Sequence, residues 1–330
     1  VKFRMRKPNK KIKIDSITKI FLLLIIFLVS ELYNIPKTNA ESSQIQSPNS
    51  IQLSNKENII GKQFVHIATN KDTLLDLARQ NGLGFIDIAA ANQGVDPWVP
   101  GEGSKITLPT TYILPPKPRS GLIINLGEHR LYLFNPTGDL IKTFPIGVGK
   151  EGWETPLGST QVIRKQANPI WFPPESIRKM NPDLPKVVRP GHNNPLGTHA
   201  IYFSMDGYLL HGTNKPWGVG RRVSHGCIRL YPEDIKELYF LVDIGTPVSI
   251  INQPIKVAWH KGSLYIEAHP DAKQSDHLEA EGKLKESEIS LADTYFRLSQ
   301  DIGESSERLD WELVRKTLQK RKGIPTKVTK

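Results

Sequence analysis

The chain of 330 residues holds one cysteine, Cys227, and two histidines lie close before it. Residues 211–230 open with His211-Gly212-Thr213, pass through a glycine-rich loop to Gly220, and end in Ser224-His225-Gly226-Cys227-Ile228-Arg229-Leu230. A free thiol has a pKa near ~8.5 and is mostly neutral at pH 7, whereas the nucleophile is the thiolate. An imidazole can take that proton and hold an ion pair. A developing oxyanion needs N–H donors, and a glycine beside the nucleophile exposes its amide without steric cost. These residue types lie within 16 positions and predict thiol-dependent acyl chemistry. An unpaired cysteine has a plainer reading as a small buried hydrophobe, and its neighbours decide against that.

Two histidines compete for the role of base. His225 is two residues from Cys227, and side chains two apart on a strand project in parallel instead of towards one another. His211 follows an expected strand at Tyr208-Leu209-Leu210, so loop closure can set it opposite the sulfur. The spacing therefore favours His211, with His225 as a structural hydrogen-bonder. A zinc site built from Cys227, His225 and His211 is the first rival, but the nearby carboxylates Glu233 and Asp234 show no ligand-like pattern. A papain-type protease is disfavoured by chain order, because here the histidine precedes a late cysteine. A wall-binding protein without catalysis is the third rival.

The elements that must position these residues are mainly strands. Gly and Pro number 25 each, which favours turns over long helices. Short apolar runs at 122–126, 130–134, 140–148, 200–203, 208–210 and 247–251, punctuated by Gly and Pro, predict a sandwich or barrel over residues 121–252. One helix is expected at 232–241, with Pro232 in its first turn and Ile235, Leu238 and Leu241 on one face. A β-hairpin is expected at 253–270 around Lys261-Gly262. Residues 271–330 read as a charged, helical or disordered extension, with exposed helices near 288–300 and 305–322 and a frayed basic tail. Upstream, residues 61–110 alternate strand, helix, helix, strand, with Asp72 as a candidate N-cap and Gly82 as a stop. A Pro-rich connector fills 111–120.

The net charge is +11, but residues 1–40 alone contribute +7 and leave +4 for the rest. The basic character thus belongs to a leader and argues against nucleic-acid binding. A basic stretch, an apolar run at 20–29, Pro36 and the small-residue site ending at Ala40 read as a signal peptide over 1–40, cleaved near Ala40 or retained as an anchor. A linker over 41–60 follows. Localisation in the periplasm is the expectation.

The stretch from His211-Gly212-Thr213 to Ser224-His225-Gly226-Cys227 resembles the signature of the L,D-transpeptidase family. Gly147-Val148-Gly149, Thr155-Pro156-Leu157-Gly158, Asn168-Pro169 and Asn194-Pro195-Leu196-Gly197 agree with it. Residues 61–110 resemble a LysM module, with Lys71 where that module usually has glycine. The resemblance implies a catalytic β-sandwich preceded by a small α/β (βααβ) module. It implies Cys227 as nucleophile and His211 as base, oriented by the Gly212 carbonyl. The amides of His225, Gly226 and Cys227 would form the oxyanion hole. Arg229, Ser224 and Trp217 are candidate substrate contacts, Arg229 alternatively forming a salt bridge and Trp217 simply packing. The implied substrates are peptidoglycan stem peptides. The implied acceptor is an amine of another stem, or of a lipoprotein or outer-membrane protein, with water giving an L,D-carboxypeptidase instead. Cofactor and metal are both expected to be absent, and the protein is expected to be a monomer.

Overall fold

The computed structural model describes residues 50–52, 57–136, 140–285 and 307–330. The signal peptide, most of the expected linker and the expected helix at 288–300 lie outside these residues. Among the described residues no helix is long and apolar enough to cross a membrane.

Alternating apolar residues build a nine-stranded sheet. Its order is Ser50–Gln52, Leu140–Pro145, Arg130–Phe134, Gly121–Asn125, Pro247–Ile251, Gly158–Ala167, His199–Phe203, Leu209–His211 and Ile228–Arg229. Two neighbouring pairs are parallel, Pro247–Ile251 on Gly121–Asn125 and Ile228–Arg229 on Leu209–His211. The sheet curls, and the mainly β character follows the expectation. Successive side chains take opposite faces. Leu122, Ile124, Leu131, Ile201, Leu210 and Ile228 therefore gather on one face. The helix Pro232–Leu241 covers that face with Ile235 and Leu238, both fully buried.

The opposite face holds Ile123, Tyr132 and Phe134 against Leu74, Leu77 and Ile106 of the upstream module and against Tyr112, whose segment Thr111–Ile113, read as Pro-rich connector, pairs as a strand with Ile59–Gly61. That module pairs Phe64–Ile67 with Lys105–Leu108 around two helices, α1 (Leu74–Gln80) and α2 (Phe85–Ala91). Thr73, not Asp72, caps α1, accepting from the Asp76 amide. Asp72 instead accepts from the Thr69 amide and bonds His66, because its side chain points back into the preceding turn.

Further helices follow: α3 (Glu175–Met180), α4 (Pro232–Leu241), α5 (Ala272–Glu281) and α6 (Trp311–Lys320). The hairpin Ile255–His260 and Ser263–Ala268 turns at Lys261-Gly262 as expected. The C-terminus departs from expectation. Thr326–Lys327 adds to that hairpin, and Val328 is fully buried with Leu309, Val314 and Leu318. The charged face of α6 concealed an apolar stripe with only two fully buried positions per ten residues, Val314 and Leu318. Residues 50–52, read as linker, likewise pair with 140–142 at the sheet edge. Edge pairing uses main-chain groups and leaves little trace in side-chain pattern.

Buried charges lock these segments together. Lys256, 1% exposed, pairs with Glu128 and lies 3.2 Å from Glu267, both fully buried. Its Nζ also donates to the Ile113 carbonyl at 2.7 Å. His269 Nε2 sits 2.7 Å from Glu267. Glu128, Glu267 and His269 converge closely enough to ligate a metal, but the Lys256 ammonium already pairs with both carboxylates. Arg130 donates to Asp87 of α2 at 2.9 Å and stacks over Tyr112 at 4.1 Å. A buried ion is tolerated only when paired in this way.

Candidate active site

Strand register puts the chemistry on one face. Leu210 lies opposite Ile228 and His211 opposite Arg229, and Cys227 directly precedes the second of these strands. Residues two apart share a face, so His211, Cys227 and Arg229 project together, away from the core that takes Leu210 and Ile228. On the antiparallel side, Ala200 pairs with His211 and Tyr202 with Leu209, and Gln166 and Arg164 extend those two rows. The rows floor a cleft of about 630 Å³ that contains His211, His225, Cys227 and Arg229.

Cys227 sits in a tight loop that glycine makes possible. Gly226 has φ +101°, and a Cβ there would meet the Tyr208 ring at 3.0 Å. Thr155 Oγ1 donates to the Gly226 carbonyl at 2.8 Å. Ser224 Oγ donates to the Cys227 carbonyl at 2.5 Å and accepts from the Gly226 amide at 3.2 Å. Ser224 lines the cleft, yet its hydroxyl holds the loop instead of facing a ligand. The Gly226 amide is engaged in the same way, so among the described residues only the His225 and Cys227 amides of this loop have no protein acceptor. His225 packs edge-on against Trp153, with ring centroids 4.9 Å apart.

The thiol is partly buried, and its Sγ lies 3.6 Å from the Gly207 carbonyl. Burial raises its pKa above the ordinary value, partly offset by the Leu209 backbone and the Arg229 charge. His211 is 4% exposed. Burial first, and Arg229 second, lower its pKa to about 3, against carbonyl contacts from Gly212 and Pro195. Nδ1 donates to the Gly212 carbonyl at 2.5 Å, so Nε2 keeps its lone pair for an incoming proton. Desolvation thus works against charge on both the thiol and the imidazole.

Arg229 is half-buried, its Nε has no partner, and it forms no ion pair among the described residues. Trp217 does not join the cleft. It is 56% exposed and lines a second cavity with α1, Phe85 and Tyr231, because the 3-10 turn Pro216–Gly218 faces the upstream module. Cys227, His225 and His211 form no metal-binding group among the described residues.

Three contributors escaped the sequence. The Pro195 carbonyl at His211 is set by fully buried Asn194, which donates to the Pro169 carbonyl and accepts from the Leu196 amide. Thr155 braces the loop at Cys227. Both lie in motifs that were visible without a role. Arg164 gave no signal at all.

Residues 119–250 match the L,D-transpeptidase catalytic domain model. The chain is 38% identical over 280 residues to the probable L,D-transpeptidase YcfS of Escherichia coli K12, covering 82% of this chain and 85% of that protein. The chain belongs to the L,D-transpeptidase family. It is also 35% identical over 280 residues to the probable L,D-transpeptidase ErfK/SrfK of the same strain, covering 82% of this chain and 87% of that protein. It is 39% identical over 206 residues to the probable L,D-transpeptidase YbiS, covering 61% and 67%. The first two matches extend well beyond the catalytic L,D-transpeptidase segment.

The loop between His211 and Cys227 of this L,D-transpeptidase is pinned from two sides. Phe85 and Ile86 amides of α2 donate to the Val219 and Gly220 carbonyls. Gly84 and Gly220 approach so closely that a Cβ on Gly220 would lie 2.2 Å from the Phe85 nitrogen. From the other side, Arg221 pairs with Glu279 and Arg222 with Asp276 of α5.

Proposed function

We propose that this L,D-transpeptidase transfers the acyl group of a peptidoglycan stem peptide from its terminal D-alanine to an amine, through a thioester on Cys227. The observation that carries this reading is the projection of Cys227, His211 and Arg229 from one sheet face into one cleft. The third-residue carbonyl of the donor stem lies against Sγ. As sulfur attacks, His211 Nε2 takes the thiol proton, and the carbonyl oxygen becomes an oxyanion between the His225 and Cys227 amides. Collapse breaks the C–N bond. The imidazolium returns its proton to the leaving amine, and D-alanine departs. An acceptor amine then attacks the thioester, His211 takes its proton, and the C–S bond breaks. That proton returns to sulfur, which restores the thiol. Arg229, unpaired and beside the sulfur, holds the terminal carboxylate of the leaving D-alanine.

A second stem is the acceptor in this reading, with an envelope protein or water as alternatives. The wall lies outside the cytoplasm, and the basic-then-apolar segment 1–40 supplies export. The βααβ unit serves as a LysM-like positioning domain, which its backbone hydrogen bonds to residues 219–220 support.

Mass spectrometry of muropeptides, after mixing the protein with tetrapeptide-rich sacculi, tests the reaction. New cross-links between third residues are expected, and Cys227→Ala abolishes them. Shortened stems alone would mean that water is the acceptor. Unchanged muropeptides would refute acyl transfer.

A further inference from the structure

The strand that leads into Cys227 is weakly held by other strands. Among the described residues Arg222–Ser224 pairs only with Val148–Gly149, in a two-stranded unit apart from the nine-stranded sheet. A two-stranded unit is marginal without packing from outside. The Val148 amide donates to the Arg221 carbonyl at 2.9 Å and the Lys150 amide to the Ser224 carbonyl at 3.0 Å. Ser224 Oγ in turn holds the Gly226 amide and the Cys227 carbonyl. A shift of this strand therefore moves the sulfur and the amides beside it, while His211 stays on the main sheet.

The outside packing comes from α5. Asp276 and Glu279 are three positions apart on that helix and so share one face. Arg222 donates to Asp276 at 3.2 Å, and Arg221 donates to Glu279. The two arginine side chains are only 12% and 14% exposed, so salt screens these pairs less than surface ones. The Arg221 guanidinium also lies over Phe85 of α2, its Cζ 3.7 Å from the ring centroid. α5 is itself fixed. A capping box joins Asp271 and Gln274, and Leu278 is buried against Phe85, Ile86 and Ala90. The Gly94 amide donates to the Gly282 carbonyl at 3.3 Å. Neither Arg221 nor Arg222 lines the cleft, and α5 lies outside the segment 119–250 that matches the catalytic domain.

We propose that Arg221 and Arg222 are positioning residues for acyl transfer, through which α5 of the C-terminal extension holds the Cys227 loop in register with His211. The inference rests on the transfer reaction proposed above. These ion pairs touch no substrate. Attack needs the sulfur, His211 Nε2 and the loop amides in place together, and a misplacement of about 1 Å costs up to about 100-fold in rate. The rows that floor the cleft belong to the main sheet and stay where they are when α5 lets go. Loss of the ion pairs therefore lowers kcat and spares KM. A small alkylating agent needs the thiol alone, so its rate at Cys227 is spared too.

The test uses the full chain with Asp276→Asn and Glu279→Gln combined. Both carboxylates are partly exposed, and Tm reports whether the fold is kept. D-alanine release from a tetrapeptide donor is expected to fall roughly 10-fold in kcat, with KM within about twofold of wild type. Tm should stay within about 2 °C, and alkylation of Cys227 by iodoacetamide within about twofold. A second arm reverses the Arg222–Asp276 pair. Arg222→Asp alone should lose kcat, and adding Asp276→Arg should recover most of the loss, because opposite charges face one another again. An unchanged kcat in the Asp276→Asn, Glu279→Gln protein overturns the inference. So does a kcat loss matched by falls in Tm and alkylation rate, or an Arg222→Asp defect that Asp276→Arg does not relieve. Each of these leaves the transfer reaction standing. A wild type that releases no D-alanine overturns the transfer reaction and this inference with it.

Discussion

Alkylation of Cys227 by iodoacetamide, followed across pH, tests the resting protonation of the site. Burial places the thiol above its ordinary 9.0. A group of pKa 9 is about 1% ionised at pH 7 and gains tenfold per pH unit below its pKa, so the thiolate fraction at pH 7 is under about 1%. The imidazole does not rescue it, because burial holds His211 near a pKa of about 3. A raised thiol and a lowered imidazole both set the ion pair above the neutral pair before mutual attraction is counted. The logarithm of the alkylation rate constant should climb with a slope near one from pH 6 to above pH 9. His211→Ala should follow the same slope, while its acyl transfer falls by roughly 10²- to 10⁴-fold. A rate plateau below pH 8 in the wild type would show a preformed thiolate–imidazolium pair and refute the argument.

Three further outcomes follow from buried groups. Asp234 in the first turn of α4 has an unpartnered Oδ2, and burial, then Glu233 and Glu237, raise its pKa to about 8. Its folded pKa exceeds the unfolded one, so stability is fully present below about pH 4 and is lost as pH rises towards 8. Asp234→Asn should therefore raise stability, and Tm with it, progressively over that window, by roughly 4 kcal/mol at pH 7; a gain independent of pH would contradict this. Asp87→Ala strands the buried Arg130 guanidinium and should cost about 3–5 kcal/mol in urea unfolding, with Asp87→Asn less damaging because an acceptor remains. Gly220→Ala drives a Cβ into the α2 backbone at φ +78°. It should lower both Tm and the rate of D-alanine release, and unchanged values of both would show that the seam with α2 is slack.

The sequence by itself determined the tight loop at Cys227, because Gly226 is the residue that its backbone demands and Cys227 is the sole thiol. It also determined most strands and α4, whose alternation or helical stripe faces a single core. The structure had to supply the ten-residue strand Gly158–Ala167, the bridge between both halves of the sheet. Only Val162 of it is buried, and its register shifts between Val162 and Arg164, so no local pattern marks it. Its place is set by hydrogen bonds to partners on both sides. The same strand delivers Arg164 to the cleft, and the shift that hides the strand also hides that residue. The protonation of the site was equally illegible, since residue types give intrinsic affinities for a proton, while the depth that lowers His211 and raises Cys227 exists only once distant segments close over them.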